Sequence, residues 1–143
     1  MKATGEYNPD TYGTHRRPEG PALFNVVACY EEVGTFGPQM AIEVESVDPE
    51  WKRNKTDKIW CPISGFVFAM FDAMGKDPKT VDKNYEYKPE HFRGKQVACM
   101  VLINKKNEKY ANPAKLYPAF NKKWTPEPVQ AEPDANPGDD VPF

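Results

Sequence analysis

The chain has 143 residues, of which 39% are hydrophobic, and its 19 Lys and Arg stand against 21 Asp and Glu for a formal charge of −2. That length gives room for one domain. It excludes a helical membrane protein, because no stretch reaches the ~20 apolar residues a spanning helix needs. It also excludes a disulfide scaffold: Cys29, Cys61 and Cys99 are odd in number, widely spaced and set in apolar runs, the pattern of buried, reduced thiols.

The near-neutral total hides a division. Five of the 15 prolines fall in the last eighteen residues, and residues 125–143 contain Glu127, Glu132, Asp134, Asp139 and Asp140 with no Lys or Arg. That segment carries −5, which leaves 19 basic against 16 acidic residues in the body, or +3. A mildly basic body on an acidic, Pro-rich tail is an asymmetry seen with nucleic-acid partners.

In chain order, residues 1–21 are polar, rich in Gly and Pro and without periodicity, so a mobile or loosely docked arm is expected, with no apolar core for a secretory signal. Order is expected from Ala22. Phe24, Val26, Ala28 and Tyr30 alternate with Leu23, Asn25, Val27 and Cys29 in a first strand that is apolar on both faces. Gly34-Thr35-Phe36-Gly37-Pro38 reads as a turn too long for a two-residue hairpin. Met40, Ile42 and Val44, alternating with Glu43 and Glu45, predict a strand with one wet face.

Residues 47–56 are a polar connection, and Lys58-Ile59-Trp60-Cys61 is a short third strand stopped by Pro62. Ile63, Phe66, Val67, Met70, Phe71 and Met74 form one apolar stripe at helical spacing. Pro62 or Ser64 is expected to start that helix and Gly75 to end it. Phe66, Phe68 and Phe71 are read as core rather than as a cofactor box. A long polar loop holding Tyr85 and Tyr87 leads to a central strand over 95–104, a basic turn, and a last strand over 110–117 interrupted by Pro113. Three strands, a helix and two strands is the layout of the five-stranded oligonucleotide/oligosaccharide-binding (OB) barrel, mainly β with its helix between strands three and four. The division expected is an arm over 1–21, an OB barrel over 22–124 and a disordered tail over 125–143.

Two constellations carry chemistry. The first interleaves cations and rings: Trp51, Lys52, Arg53, Lys55, Lys58 and Trp60 lie within ten positions, and Arg93, Lys95, Lys105, Lys106, Lys109 and Tyr110 form a second group. Single-stranded DNA offers a phosphate ladder and open base faces, so a binding groove needs cations along one track and flat rings for stacking. Tyr85 and Tyr87 join these as candidates. Trp51 sits among charges and is the better platform, whereas Trp60 divides evenly between platform and core. The second constellation is Asp139, Asp140, Val141, Pro142 and Phe143. A solubilising tail has no use for a final Phe, but a docking peptide does, with its ring in an apolar pocket and its acids on a basic rim.

Those last five residues resemble the tip of bacterial and phage single-stranded DNA-binding proteins, in which aspartates, a small apolar residue, Pro and a last Phe recruit replication, recombination and repair proteins. Ile is commoner in that family where Val141 stands, and three acids are commoner than two. The body is similar to a phage group of the family rather than to the ordinary bacterial protein. The likeness runs through Pro18-Glu19-Gly20, Gly37-Pro38, the helix, Phe92-Arg93-Gly94-Lys95 with Val97-Ala98-Cys99-Met100-Val101, and Tyr110-Ala111-Asn112 with Leu116-Tyr117. It implies an OB barrel that coats single-stranded DNA without strong sequence preference in a cytoplasm, that of the bacterial host if the chain is phage-encoded.

No P-loop, G-x-S-x-G or H-E-x-x-H motif occurs, and His15 and His91 have no ligand-spaced neighbours. A binder without catalysis, cofactor or metal is therefore expected. Alternatives are an annealing or recombination mediator and an adaptor that uses the same tail without DNA. Whether it acts as a monomer or a small homo-oligomer is left open.

Overall fold

A computed structural model describes residues 17–52, 55–108, 110–120 and 142–143. It contains strands β1 (Gly20–Gly34), β2 (Gly37–Ser46) and β3 (Asp57–Cys61), helix α1 (Phe66–Ala73), and strands β4 (Gln96–Ile103) and β5 (Ala111–Leu116). The strands form one antiparallel sheet in the order β3-β2-β1-β4-β5. Two antiparallel steps on each side of β1 make β3 and β5 run parallel to β1 and to each other. Their starts meet where Asn112 Nδ2 donates to Asp57 Oδ1 at 3.3 Å. The sheet thus curls into a nearly closed five-stranded barrel with its helix between the third and fourth strands, an OB-like architecture.

β1 makes this possible by serving both halves. Its residues 20–25 pair with β4, and its residues 24–34 pair with β2. A register shift between Val26 and Ala28 bends it, as an extra residue in one strand does by raising the local twist. The inward alternation is apolar: Phe24, Val26, Ile42, Val44, Ile59, Val97, Cys99 and Val101 are buried in one core. α1 adds Phe66, Met70, Phe71 and Ala73, and the 3-10 turn Pro89–Phe92 adds Phe92, whose ring meets that of Phe66 edge-on at 5.3 Å.

The boundaries differ from expectation at three places. β1 begins two residues early because Gly20 and Pro21 pair with Val101 and Met100. Arg17 is also docked ahead of it, donating to Ser46 Oγ at 2.8 Å with its guanidinium 4.6 Å from the Phe24 ring centroid. The β1–β2 connection is a two-residue hairpin after all. Gly34 pairs with Gly37, so only Thr35 and Phe36 lie outside the ladder, and Gly37 takes the φ of 111° that the tight return requires.

α1 starts at Phe66, not near Pro62. Gly65 at φ 81° caps it and breaks the helical path, leaving Ile63 exposed. Phe68 points away from the core and is exposed, so that member of the three-phenylalanine group is not a core ring. The C-terminal end follows expectation. The amides of Gly75 and Lys76 donate to the carbonyls of Asp72 and Phe71, with Gly75 at φ 76°, the paired bonds of a Schellman ending.

Burial pushes all three thiols up. Cys29 rises from 9.0 to about 12, through burial first and the neighbouring Cys61 second, and Cys61 and Cys99 also rise. The folded state therefore holds these protons more tightly than the unfolded one. The contribution is intact below pH 9 and is lost as pH climbs toward 12. Iodoacetamide at pH 8 is expected to label the native chain far more slowly than the urea-unfolded chain, since the thiolate is the reactive form. Equal rates would show the thiols to be open to solvent.

Candidate nucleic-acid interface

The outward faces of β1, β2 and β3 carry a row set by register. Tyr30 pairs with Ala41, and Ala41 with Trp60, so one small residue lies between two rings and is fully covered. In the neighbouring row Ala28 pairs with Glu43 and Glu43 with Lys58. Strands lie about 5 Å apart, so Tyr30 and Trp60 flank Ala41 at about twice that spacing, with Lys58 on the same face of β3 as Trp60.

Glu32 ties them together. Its Oε2 accepts from Trp60 Nε1 at 2.9 Å and its Oε1 from Lys58 Nζ at 3.3 Å. The same ammonium stands 5.6 Å from the Tyr30 ring centroid. The indole bond to Trp60, then the bond to Lys58, holds the Glu32 carboxyl below its ordinary range. Bonds to Tyr30 and Glu32 hold the Lys58 ammonium above its own. Both groups stay ionised at neutral pH. Trp60 remains 48% exposed, so its ring is oriented at one edge and open on a face.

Beside it the hairpin tip adds a second ring. Phe36 is fully exposed, and Phe36, Gly37, Pro38, Gln39, Trp60, Cys61 and Pro62 line a groove of about 260 Å³. That is below the ~300–1,000 Å³ of sites for drug-sized ligands, and the groove is open to solvent.

The cations lie toward the other end of the strands. The connection before β3 and the turn before β5 arrive at the same end, joined by the Asn112–Asp57 bond. Trp51 in the 3-10 turn Pro49–Trp51 is partly buried, while Lys52, Lys55, Lys105, Lys106 and Tyr110 are exposed. Arg53 and Lys109 lie outside the described residues. The cations thus stand near the starts of β3 and β5, whereas Trp60 stands near the end of β3. Within the row, Lys58 is paired with Glu32.

Tyr85, Tyr87 and Lys95 are placed elsewhere. They gather between α1 and β4, with Tyr85 and Tyr87 edge-on at 4.8 Å and Lys95 Nζ 4.6 Å from the centroid of Phe143. Arg93 is exposed just after the turn Pro89–Phe92. Of the last five residues, Asp139, Asp140 and Val141 lie outside the described residues, and Pro142 and Phe143 rest against the barrel. The residues missed in the sequence are Tyr30, Glu32 and Phe36. Tyr30 was visible as an aromatic on an alternating strand, but its partnership with Trp60 required the register.

Among the described residues no three His, Cys, Asp or Glu side chains are grouped to hold a metal, and no helix is long and apolar enough to cross a membrane. No family model and no curated protein matches this chain. The class that the structure defines is one of fold, an OB-like five-stranded barrel with one helix.

Proposed function

We propose that this is a single-stranded DNA-binding protein whose β1–β2–β3 face stacks bases and whose loop lysines track phosphates. The observation that carries the reading is the Tyr30–Ala41–Trp60 row, with Trp60 oriented by Glu32 beside the open Phe36 groove. A ring row open to solvent offers flat faces on which unpaired bases can stack. Duplex DNA, whose base faces are occupied, has little use for such a row. Residues 139–143 serve as the segment that recruits replication, recombination or repair proteins, a reading supported by their resemblance to the family's tip.

The test is quenching of tryptophan fluorescence by a dT oligomer and by duplex of equal length at two salt concentrations. The expected result is saturable quenching by dT, weaker binding of duplex, and a log–log salt slope of about −0.7 per neutralised phosphate. An affinity that does not change with salt, or that favours duplex, would rule the reading out.

A further inference from the structure

We propose that the cleft between α1 and the segment entering β4 is a receptor for a Pro-Phe segment, and that its resident occupant is the chain's own Pro142–Phe143. Three rings and one cation from separate places in the sequence converge on Phe143. Its ring centroid lies 5.7 Å from that of Phe71 on α1, 5.4 Å from Phe92 in a near-perpendicular contact, and 6.3 Å from Tyr87. Lys95 Nζ stands 4.6 Å from the same centroid, in the geometry of a cation–π contact.

The backbone of the occupant is read as well. Tyr87 Oη donates to the Pro142 carbonyl at 3.3 Å and itself accepts from the Asp82 amide at 3.1 Å. The phenol is thereby fixed from behind and aimed at the peptide. Phe71 and Phe92 belong to the buried core and Phe143 packs against it, so the floor of the cleft is rigid and only the occupant is exchangeable. A ring pocket, a cation over the ring and a hydrogen bond to the preceding carbonyl together specify an aromatic residue whose preceding peptide carbonyl faces Tyr87.

The chain is laid out to keep this occupant near. The Phe120 amide bonds both the carbonyl and Oδ1 of Asp72, at 3.1 and 3.0 Å. Phe120 thus lies beside Asp72 and Phe143 beside Phe71, neighbouring residues of α1, and the twenty-one residues 121–141 separate Phe120 from the Pro142–Phe143 pair. Twenty-one residues reach up to about 70 Å when extended, so Phe143 can leave the cleft without straining the chain. Tethering sets its local concentration on the order of millimolar. A partner that reads the same ring must outcompete the chain's own cleft, which makes recruitment a gated event. The gate rests on the recruiting role proposed for residues 139–143, whereas the receptor does not. No residue of the outward β2–β3 face contributes to the cleft, so the gate and the ring row are separate.

The experiment uses the isotope-labelled chain in two forms, full-length and lacking Pro142 and Phe143, each titrated with the peptide Asp-Asp-Val-Pro-Phe and followed by NMR. In the shortened chain the peptide is expected to bind saturably, with shifts at Phe71, Tyr87, Phe92 and Lys95. The full chain is expected to bind it at least tenfold more weakly, because the cleft is filled. Tyr87→Phe, which keeps the ring and removes the hydrogen bond, is expected to weaken the peptide about threefold to tenfold in the shortened chain, and a peptide ending in Ala to give no shifts. Full-length Phe143→Ala repeats the comparison without any change of length. Equal affinity of the parent and emptied chains, or shifts confined to other surfaces, would overturn the proposal, and either result is independent of whether the protein binds DNA.

Discussion

Replacing Trp60 with Ala is expected to weaken binding of a dT oligomer by roughly tenfold or more, with little change in thermal unfolding. A base stacked on an aromatic side chain contributes about 1–3 kcal/mol, a factor of about 5 to 150 in affinity. The fold should tolerate the change because the indole lies on the outer face and its one polar contact, Nε1 to Glu32, is at the surface. Trp60→Phe keeps a ring but loses that contact, so an intermediate loss is expected. Phe36→Ala should also weaken binding, and the two losses should not add, since both rings line one groove. Glu32→Gln separates stacking from charge. It removes the carboxylate from Lys58 and is expected to tighten binding at low salt while steepening the salt slope. Anisotropy of a labelled dT oligomer measures all four variants, and an unchanged affinity of Trp60→Ala would remove the ring row from the interface.

Removing residues 139–143 is expected to leave dT affinity unchanged or slightly tighter and to abolish capture of partner proteins. The shortened chain loses two of the five acidic residues of its −5 segment, and lowering negative charge near a DNA-binding body favours the polyanion. Phe143 makes no contact with the ring row, so its loss should not weaken stacking. Phe143→Ala is the sharper variant. It keeps both aspartates, so it should abolish capture without the electrostatic gain. Weaker DNA binding on removal of residues 139–143 would refute the assignment of separate sites.

The parts of this fold legible in the sequence were those governed by short periods. The stripe from Ile63 to Met74 announced α1 but placed its start a turn too early, and Gly75 announced its end, because a Schellman ending needs only a glycine at the right step. The barrel order followed from alternation and from the position of the helix. The hairpin was misjudged for the opposite reason. Gly34, Gly37 and Pro38 look like loop residues, yet the ladder from Glu32 to Gly34 draws them into pairing, and tertiary hydrogen bonding outweighs local preference. Trp60 was divided evenly between core and surface because Trp60-Cys61-Pro62 says nothing of facing. The cross-strand pair with Ala41, nineteen positions away, decides it. The link from Glu32 to Trp60 spans 28 positions and that from Tyr87 to Pro142 spans 55, so neither leaves a trace in any local pattern.

The junction between β3 and β5 has a mechanical consequence. Every other neighbouring pair of strands is laced by a backbone ladder, whereas this junction is bridged by the side chains of Asn112 and Asp57. A tube slit along its length keeps its bending stiffness but gives up most of its resistance to twisting. That seam is therefore where the wall resists sliding of β3 against β5 least. On the single-stranded DNA reading proposed above, give at that seam would let Trp60 and the loop lysines meet bases and phosphates at irregular spacing.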